Sequence, residues 1–243
     1  MTRLIKRISP EGQVKSGRGD KPRAAPGRAR HDQAAMERIA MNQQQPAPQA
    51  GSTPSAIASV DDILGFWFGP PPVHTRDEWF RKDDAFDAEI RHRFLCTVEA
   101  AGRGDCDDWA STAHGALALV VVLDQFPRNL FRNDARTYAC DGKALAVANA
   151  ALAAGLDQAL APQQQLFLYL PFEHSEALAD QQRALQLMAH WQQQPALSGF
   201  YRYAVMHHDV IARFGRFPHR NAILQRTSTP AEAEYLAQPG SGF

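Results

Sequence analysis

The chain has 243 residues, 26 Lys and Arg against 26 Asp and Glu, nine histidines and three cysteines, a length that favours one hydrophobic core. The neutral total is the sum of two unlike parts: residues 1–50 hold 10 basic against 4 acidic side chains, and residues 51–243 hold 16 against 22. No apolar run approaches a membrane span, and Leu4-Ile5, the longest apolar stretch of the first part, is too short for a signal-peptide core, so neither secretion nor membrane insertion is expected.

Residues 1–55 are rich in Gly, Pro, Gln and Arg and poor in aromatic and branched aliphatic residues. Such a segment cannot bury enough apolar surface to offset chain entropy, and it is predicted to be a disordered basic tail, or to precede a true start at Met36 or Met41. Arg18, Lys21, Arg23, Arg28 and Arg30 supply charge for nucleic acid or anionic lipid. No aromatic interleaves with them to stack on bases, so nucleic acid is not an expected partner.

Residues 56–243 read as a single α-helical domain. After Ser59, a candidate cap, Ile63, Leu64, Trp67 and Phe68 keep helical spacing. Phe86, Ile90, Phe94, Leu95 and Val98 continue it on a second helix closed by Gly102. Ala113–Phe126 is apolar nearly all round, the pattern of a helix surrounded by others, although its Val-Val-Val run also fits a buried strand. Pro127 is expected to force the chain out of helix. A fourth helix runs through 135–155 to Gly155, a fifth from Gln163 to Leu170 ends at Pro171, and a sixth extends from Ser175 to about Gln193. The seventh, Phe200–Phe214, stops at Gly215, and the eighth opens on the capping box Thr229-Pro-Ala-Glu232. About eight helices on short links predict an all-α array or bundle.

Asp124 falls near the C-terminal end of the most buried helix, where the dipole disfavours a carboxylate unless a cation answers it; Arg128 and Arg132 are the candidates. On the seventh helix His207 lies within the apolar stripe, where a buried imidazole either cross-links the core or serves as acid, base or ligand contact. Asp209 and Arg213, four apart, are expected to pair on the opposite face. His174 and Glu176, like His207 and Asp209, form His-x-acid pairs without the spacing of an HExxH metal motif, so no metal is expected. Cys96, Cys106 and Cys140 lack close pairing and fit a reducing cytoplasm. Gln-Phe-Pro-Arg-Asn at 125–129 is echoed by Arg-Phe-Pro-His-Arg-Asn at 216–221, which places Arg216, Arg220 and Asn221 at a second corner.

The strings LDQFPRNLFR (123–132), FLYLPFEHSEALADQQ (167–182) and HHDVIARFGRFPHRN (207–221), with FWFG at 66–69 and TPAE at 229–232, closely resemble the bacterial domain-of-unknown-function family 924. The resemblance implies a tetratricopeptide-repeat-like helical fold, here an antiparallel array, and it implies no established activity. The family's polar motif positions fall here on Asp124, Arg128, Asn129, Arg132, Asp141, His174, Ser175, Glu176, His207, Asp209, Arg213, Arg216, His219, Arg220 and Asn221.

Three functions are compatible with these residues. Arginines of the two Phe-Pro corners, 14 Arg against 2 Lys beyond residue 50, suit a pocket for a small anion or an acidic peptide end. Alternatively, His207 or His174 acts as general base in hydrolytic or transfer chemistry. The third is a helical scaffold for protein–protein interaction. No Walker loop, dinucleotide fingerprint or Gly-x-Ser-x-Gly elbow occurs, so no cofactor is expected. The first two require the two corners to meet in one pocket; in the third the acids and arginines pair among themselves.

Overall fold

Ser59 begins the first helix by satisfying donors that a helix leaves unpaired at its start. Its hydroxyl accepts from the Asp62 amide, and the Asp62 carboxylate accepts from the Ser59 amide, both at 3.1 Å, the predicted cap completed as a reciprocal box. The computed structural model describes residues 56–242, so the predicted tail lies outside the described residues. Helix α1 is Val60–Phe68. Helix α2, Asp84–Arg103, is capped by Asp83 and runs past Gly102 to end at Gly104, whose φ of 106° is a conformation that glycine adopts without steric penalty.

Helix α3 (Ala113–Val120), a π turn (Val121–Gln125) and helix α4 (Phe126–Leu130) form one continuous rod. The Val-Val-Val run is helical, as the predicted buried helix requires. The structure corrects one expectation here: Pro127 does not end the helix. The π turn, closed by the Phe126 amide on the Val121 carbonyl, inserts one extra residue ahead of Pro127. The proline thus falls in the first turn of α4, where its missing N–H is tolerated.

Helix α5 is Asp141–Ala153, followed by Gly155 at φ 69°. Helix α6, Pro162–His174, passes through Pro171 for a further turn where the sequence predicted a stop. The proline forfeits the bond to the Phe167 carbonyl, but the extra turn is held by packing, with Phe172, Glu173 and His174 all buried. Helix α7, Leu178–Met188, is shorter than expected. At its front Gln181 folds back to donate to the Glu173 and Ser175 carbonyls, each at 2.6 Å. At its end the chain tightens into a 3₁₀ turn, Ala189–Trp191. Helix α8 is Ser198–Phe214, stopped at Gly215 as predicted, and α9, Pro230–Leu236, carries the predicted Thr229–Glu232 capping box. With α3, the π turn and α4 taken as one rod there are eight helices and no strand among the described residues. None of them is long and apolar enough to cross a membrane.

The rod is the centre of the core. Every residue from Ala116 to Leu123 is fully buried, with α1, α5 and α6 packed around α3. Trp67 of α1 joins Phe126 and Phe167 edge to face, at ring separations of 5.7 and 5.4 Å. Helices α6, α7 and α8 then pack on one another and carry the far wall of the site described below.

Gly115 shows how closely the rod is seated. A Cβ at that position would lie 2.0 Å from the Trp109 carbonyl oxygen and 2.8 Å from Thr112 Oγ1. Gly115→Ala is therefore expected to destabilise the protein by about 1–3 kcal/mol, although alanine is the better helix former. Urea denaturation measures this; an equally stable variant would mean that the 3₁₀ turn Asp107–Ser111 yields freely.

Candidate functional site

The π turn rotates Asp124 into the core, where its carboxylate is fully buried. A carboxylate there needs several donors. His174 Nδ1, from the extra turn of α6, lies 2.8 and 2.9 Å from its two oxygens, and Gln125 Nε2 donates to it as well. Arg128 Nη1 is 3.3 Å from Oδ1 and also donates to the Asp124 carbonyl. Arg128 then reaches Asp141, at the start of α5, through two bonds of 3.0 Å. The predicted answer of Arg128 to Asp124 is present; Arg132 takes no part in it.

Burial alone would push the Asp124 carboxyl up, but Arg128, then His174 and Gln125, outweigh it and hold its pKa down at about 2. For His174, burial first and Arg128 second push the imidazole below its ordinary value, against the pull of Asp124. The imidazole is accordingly neutral at neutral pH. A carboxylate only accepts, so the hydrogen-bond network assigns the proton to Nδ1 and leaves the lone pair on Nε2.

A second His–carboxylate pair stands beside the first. Glu173 Oε1 lies 3.0 Å from His207 Nδ1, which is also 2.9 Å from the Tyr203 carbonyl, and both side chains are only 3% exposed. The His174 and His207 ring centroids are 6.3 Å apart. Glu173 Oε2 is buried without a hydrogen-bond partner.

The echoed Phe-Pro corners meet at Asp141. Arg128 binds it from one side, and Arg220, from the 3₁₀ turn Pro218–Arg220, approaches to 3.6 Å from the other, too far for a hydrogen bond. Arg220 is 93% buried by its 7% exposure and is held between the faces of Tyr138 and Phe217, at 4.6 and 4.4 Å from the ring centroids. Its Nε has no partner. Burial and the neighbouring Arg128 lower its pKa, yet a guanidinium keeps its charge at neutral pH.

Of the residues predicted from sequence, Asp124, Arg128, Asp141, His174, His207 and Arg220 come together. The others make separate ties. Asn129 and Arg132 bind Asp87 of α2 at 2.7 Å each. Arg216 grips Glu232 at 2.6 and 2.8 Å. Glu176 takes two bonds from Arg226, at 2.6 and 2.9 Å, and one from the Phe217 amide at 2.8 Å. Asn221 donates to Ser228 and accepts from Arg226.

Asp209 pairs with His208 at 3.1 Å in place of Arg213, and Arg213 lies over the Phe214 ring. Neither His-x-acid pair forms: His207 and Asp209, two apart on α8, do not face each other, and Glu176 lies beyond the end of α6, where Arg226 takes it. The histidines take carboxylates from other elements. An open cleft of about 520 Å³ beside Arg213, Arg216 and Glu232 shares no lining residue with the His174 cluster. Tyr138, Glu173 and Gln125 were not singled out from sequence. Only the position of Glu173 in the continued helical register of α6 could have signalled one of them, and Pro171 masked it.

The family described as "Bacterial protein of unknown function (DUF924)" matches residues 63–240. Among solved structures, that of the protein of unknown function ATU0120 from Agrobacterium tumefaciens is 44% identical, with 73% of this chain and 96% of that chain covered at a TM-score of 0.66. No curated protein matches.

Proposed function

The chain belongs to the DUF924 family of bacterial proteins of unknown function, and from that premise we propose that it is an enzyme whose general base is His174, acting on a small anionic molecule received by Arg220. The observation that carries this reading is the contact of His174 Nδ1 with the buried Asp124 carboxylate at 2.8 Å. It fixes the tautomer and supports the positive charge that forms when Nε2 takes a proton. A base at Nε2 removes a proton from water or a substrate hydroxyl, the first event of hydrolytic or transfer chemistry. Arg220, whose Nε is unpartnered and whose ion pair with Asp141 is long, supplies planar donors for a carboxylate or phosphate. The peripheral arginines are already engaged by Asp87 and Glu232 and hold helix ends together. Three free cysteines support a reducing compartment as its setting.

The test uses the full chain. Inorganic phosphate, acetate and malonate at millimolar concentration are expected to raise Tm, and Arg220→Gln to lose the rise. In a panel of ester, phosphoester and amide substrates, His174→Gln is expected to lower any turnover by roughly 10²–10⁴-fold, read at a temperature at which the variant is folded. Indifference to every anion, together with turnover that survives His174→Gln, would overturn the proposal.

A further inference from the structure

Glu173 and His174 are consecutive on the last turn of α6, yet each is bound by a different element. His174 is held by the π turn and Glu173 by His207 of α8. The His207 ring also stands edge-on to Phe217, with centroids 5.6 Å apart, and Phe217 is one of the two rings that grip Arg220. One buried imidazole is therefore in line between the base and the anion receptor: His174 and Glu173 share a helical turn, Glu173 binds His207, His207 packs on Phe217, and Phe217 faces Arg220.

We infer that His207 is a positioning residue, which sets through Glu173 the aim of His174 and through Phe217 the slot of Arg220. Both oxygens facing His207 Nδ1, Glu173 Oε1 and the Tyr203 carbonyl, accept hydrogen bonds, so the ring is fixed as the Nδ1–H form by two acceptors at once. The Tyr203 carbonyl is one turn back on α8 itself. His207 thus refers both halves of the site to a single rigid helix. Its 3% side-chain exposure keeps it from touching substrate, which separates its role from that of His174. The inference rests on the reading of His174 and Arg220 given above, and its test is chosen to fail separately from that reading.

The experiment compares His207→Phe, which keeps a ring against Phe217 and removes Nδ1, with His207→Asn, whose amide can still donate toward Glu173. Two readouts are taken on the full chain: the NMR titration of the His174 ring, and the affinity for inorganic phosphate. In His207→Phe the His174 pKa is expected to move further down, because a ring turned off Asp124 loses the carboxylate that raises it, and phosphate affinity to fall on the order of 10-fold, the scale set by sub-ångström misplacement of a binding group. His207→Asn is expected to restore both in large part. Should His207→Phe not fold, Glu173→Gln takes its place, and the same downward movement of His174 is expected.

A folded His207→Phe protein with lowered Tm but wild-type His174 titration would overturn the inference and leave His207 as a core cross-link. Absence of phosphate binding in the wild type counts against the anion reading alone, because the His174 titration still decides the role of His207.

Discussion

Asp124→Ala is expected to destabilise the protein by roughly 3–5 kcal/mol, the range for removing one member of a buried charge cluster. The carboxylate is fully buried and is the acceptor for His174 Nδ1 and Gln125 Nε2. Its removal strands those donors and leaves Arg128 with Asp141 and the backbone carbonyl of position 124. Because Arg128 keeps these partners, the loss should lie toward the lower end of the range. Asp124→Asn separates stability from chemistry. The amide preserves volume and one acceptor, so the loss falls to about 1–3 kcal/mol. Its NH₂ group, however, can donate to Nδ1 and hold the proton on Nε2, where it blocks the base. Urea denaturation and imidazole ¹⁵N shifts measure the two effects; an alanine variant within 1 kcal/mol of wild type would show that the cluster does not stabilise the fold.

Stability should also fall steeply on the acid side of neutrality. His219 is pushed down to about 3, by burial first and then by Arg220 and His207, and His174 is lowered by burial and Arg128. For a base whose folded pKa is depressed, the unfolded chain binds the proton first. The contribution is therefore complete above the unfolded value of about 6.5 and is lost as pH falls toward the folded value. Between pH 6.5 and 4.5 His219 alone withdraws roughly 2 kcal/mol, and His174 acts in the same direction. Below about pH 4 the carboxylates take over. Asp124 and Glu232, both held at about 2, the latter chiefly by Arg216, lose their contribution as pH falls from the ordinary carboxyl value toward 2. His219→Gln is expected to flatten the pH 6.5–4.5 segment by about one proton's worth of slope, 1.4 kcal/mol per pH unit. An unchanged profile in that variant would mean that His219 protonates as readily folded as unfolded.

The His174 cluster would act within these same limits. A neutral imidazole whose pKa is lowered keeps its Nε2 lone pair below neutral pH, so the loss of stability in acid is expected to limit activity. The DUF924 member described here would then lose activity in acid through unfolding, with the midpoint of inactivation following that of denaturation.

The elements that were legible in the sequence are those whose causes are local. The Ser59 and Thr229 caps, the glycine stops at 155 and 215, and the apolar periodicity of α8 each depend on residues within a turn or two. At Pro127 and Pro171 the local rule favoured a break, and burial of the surrounding helix overrode it. The π turn and the extra turn of α6 lie at those two points, and they present Asp124 and His174 to each other.

The site itself was legible as a set of residue types and no further. His174 was read beside Glu176, and His207 beside Asp209, because sequence proximity is all that a sequence displays. The carboxylate that holds His174 is 50 positions away, and Asp87, which engages Arg132, is 45 away. What the chain fixed by itself was which segments coil and where the coils stop, since backbone bonds and caps act over a few residues. Which acid faces which base was decided only when the helices packed, because a buried charge takes its partner from whatever neighbouring helix the core places within 3 Å or so.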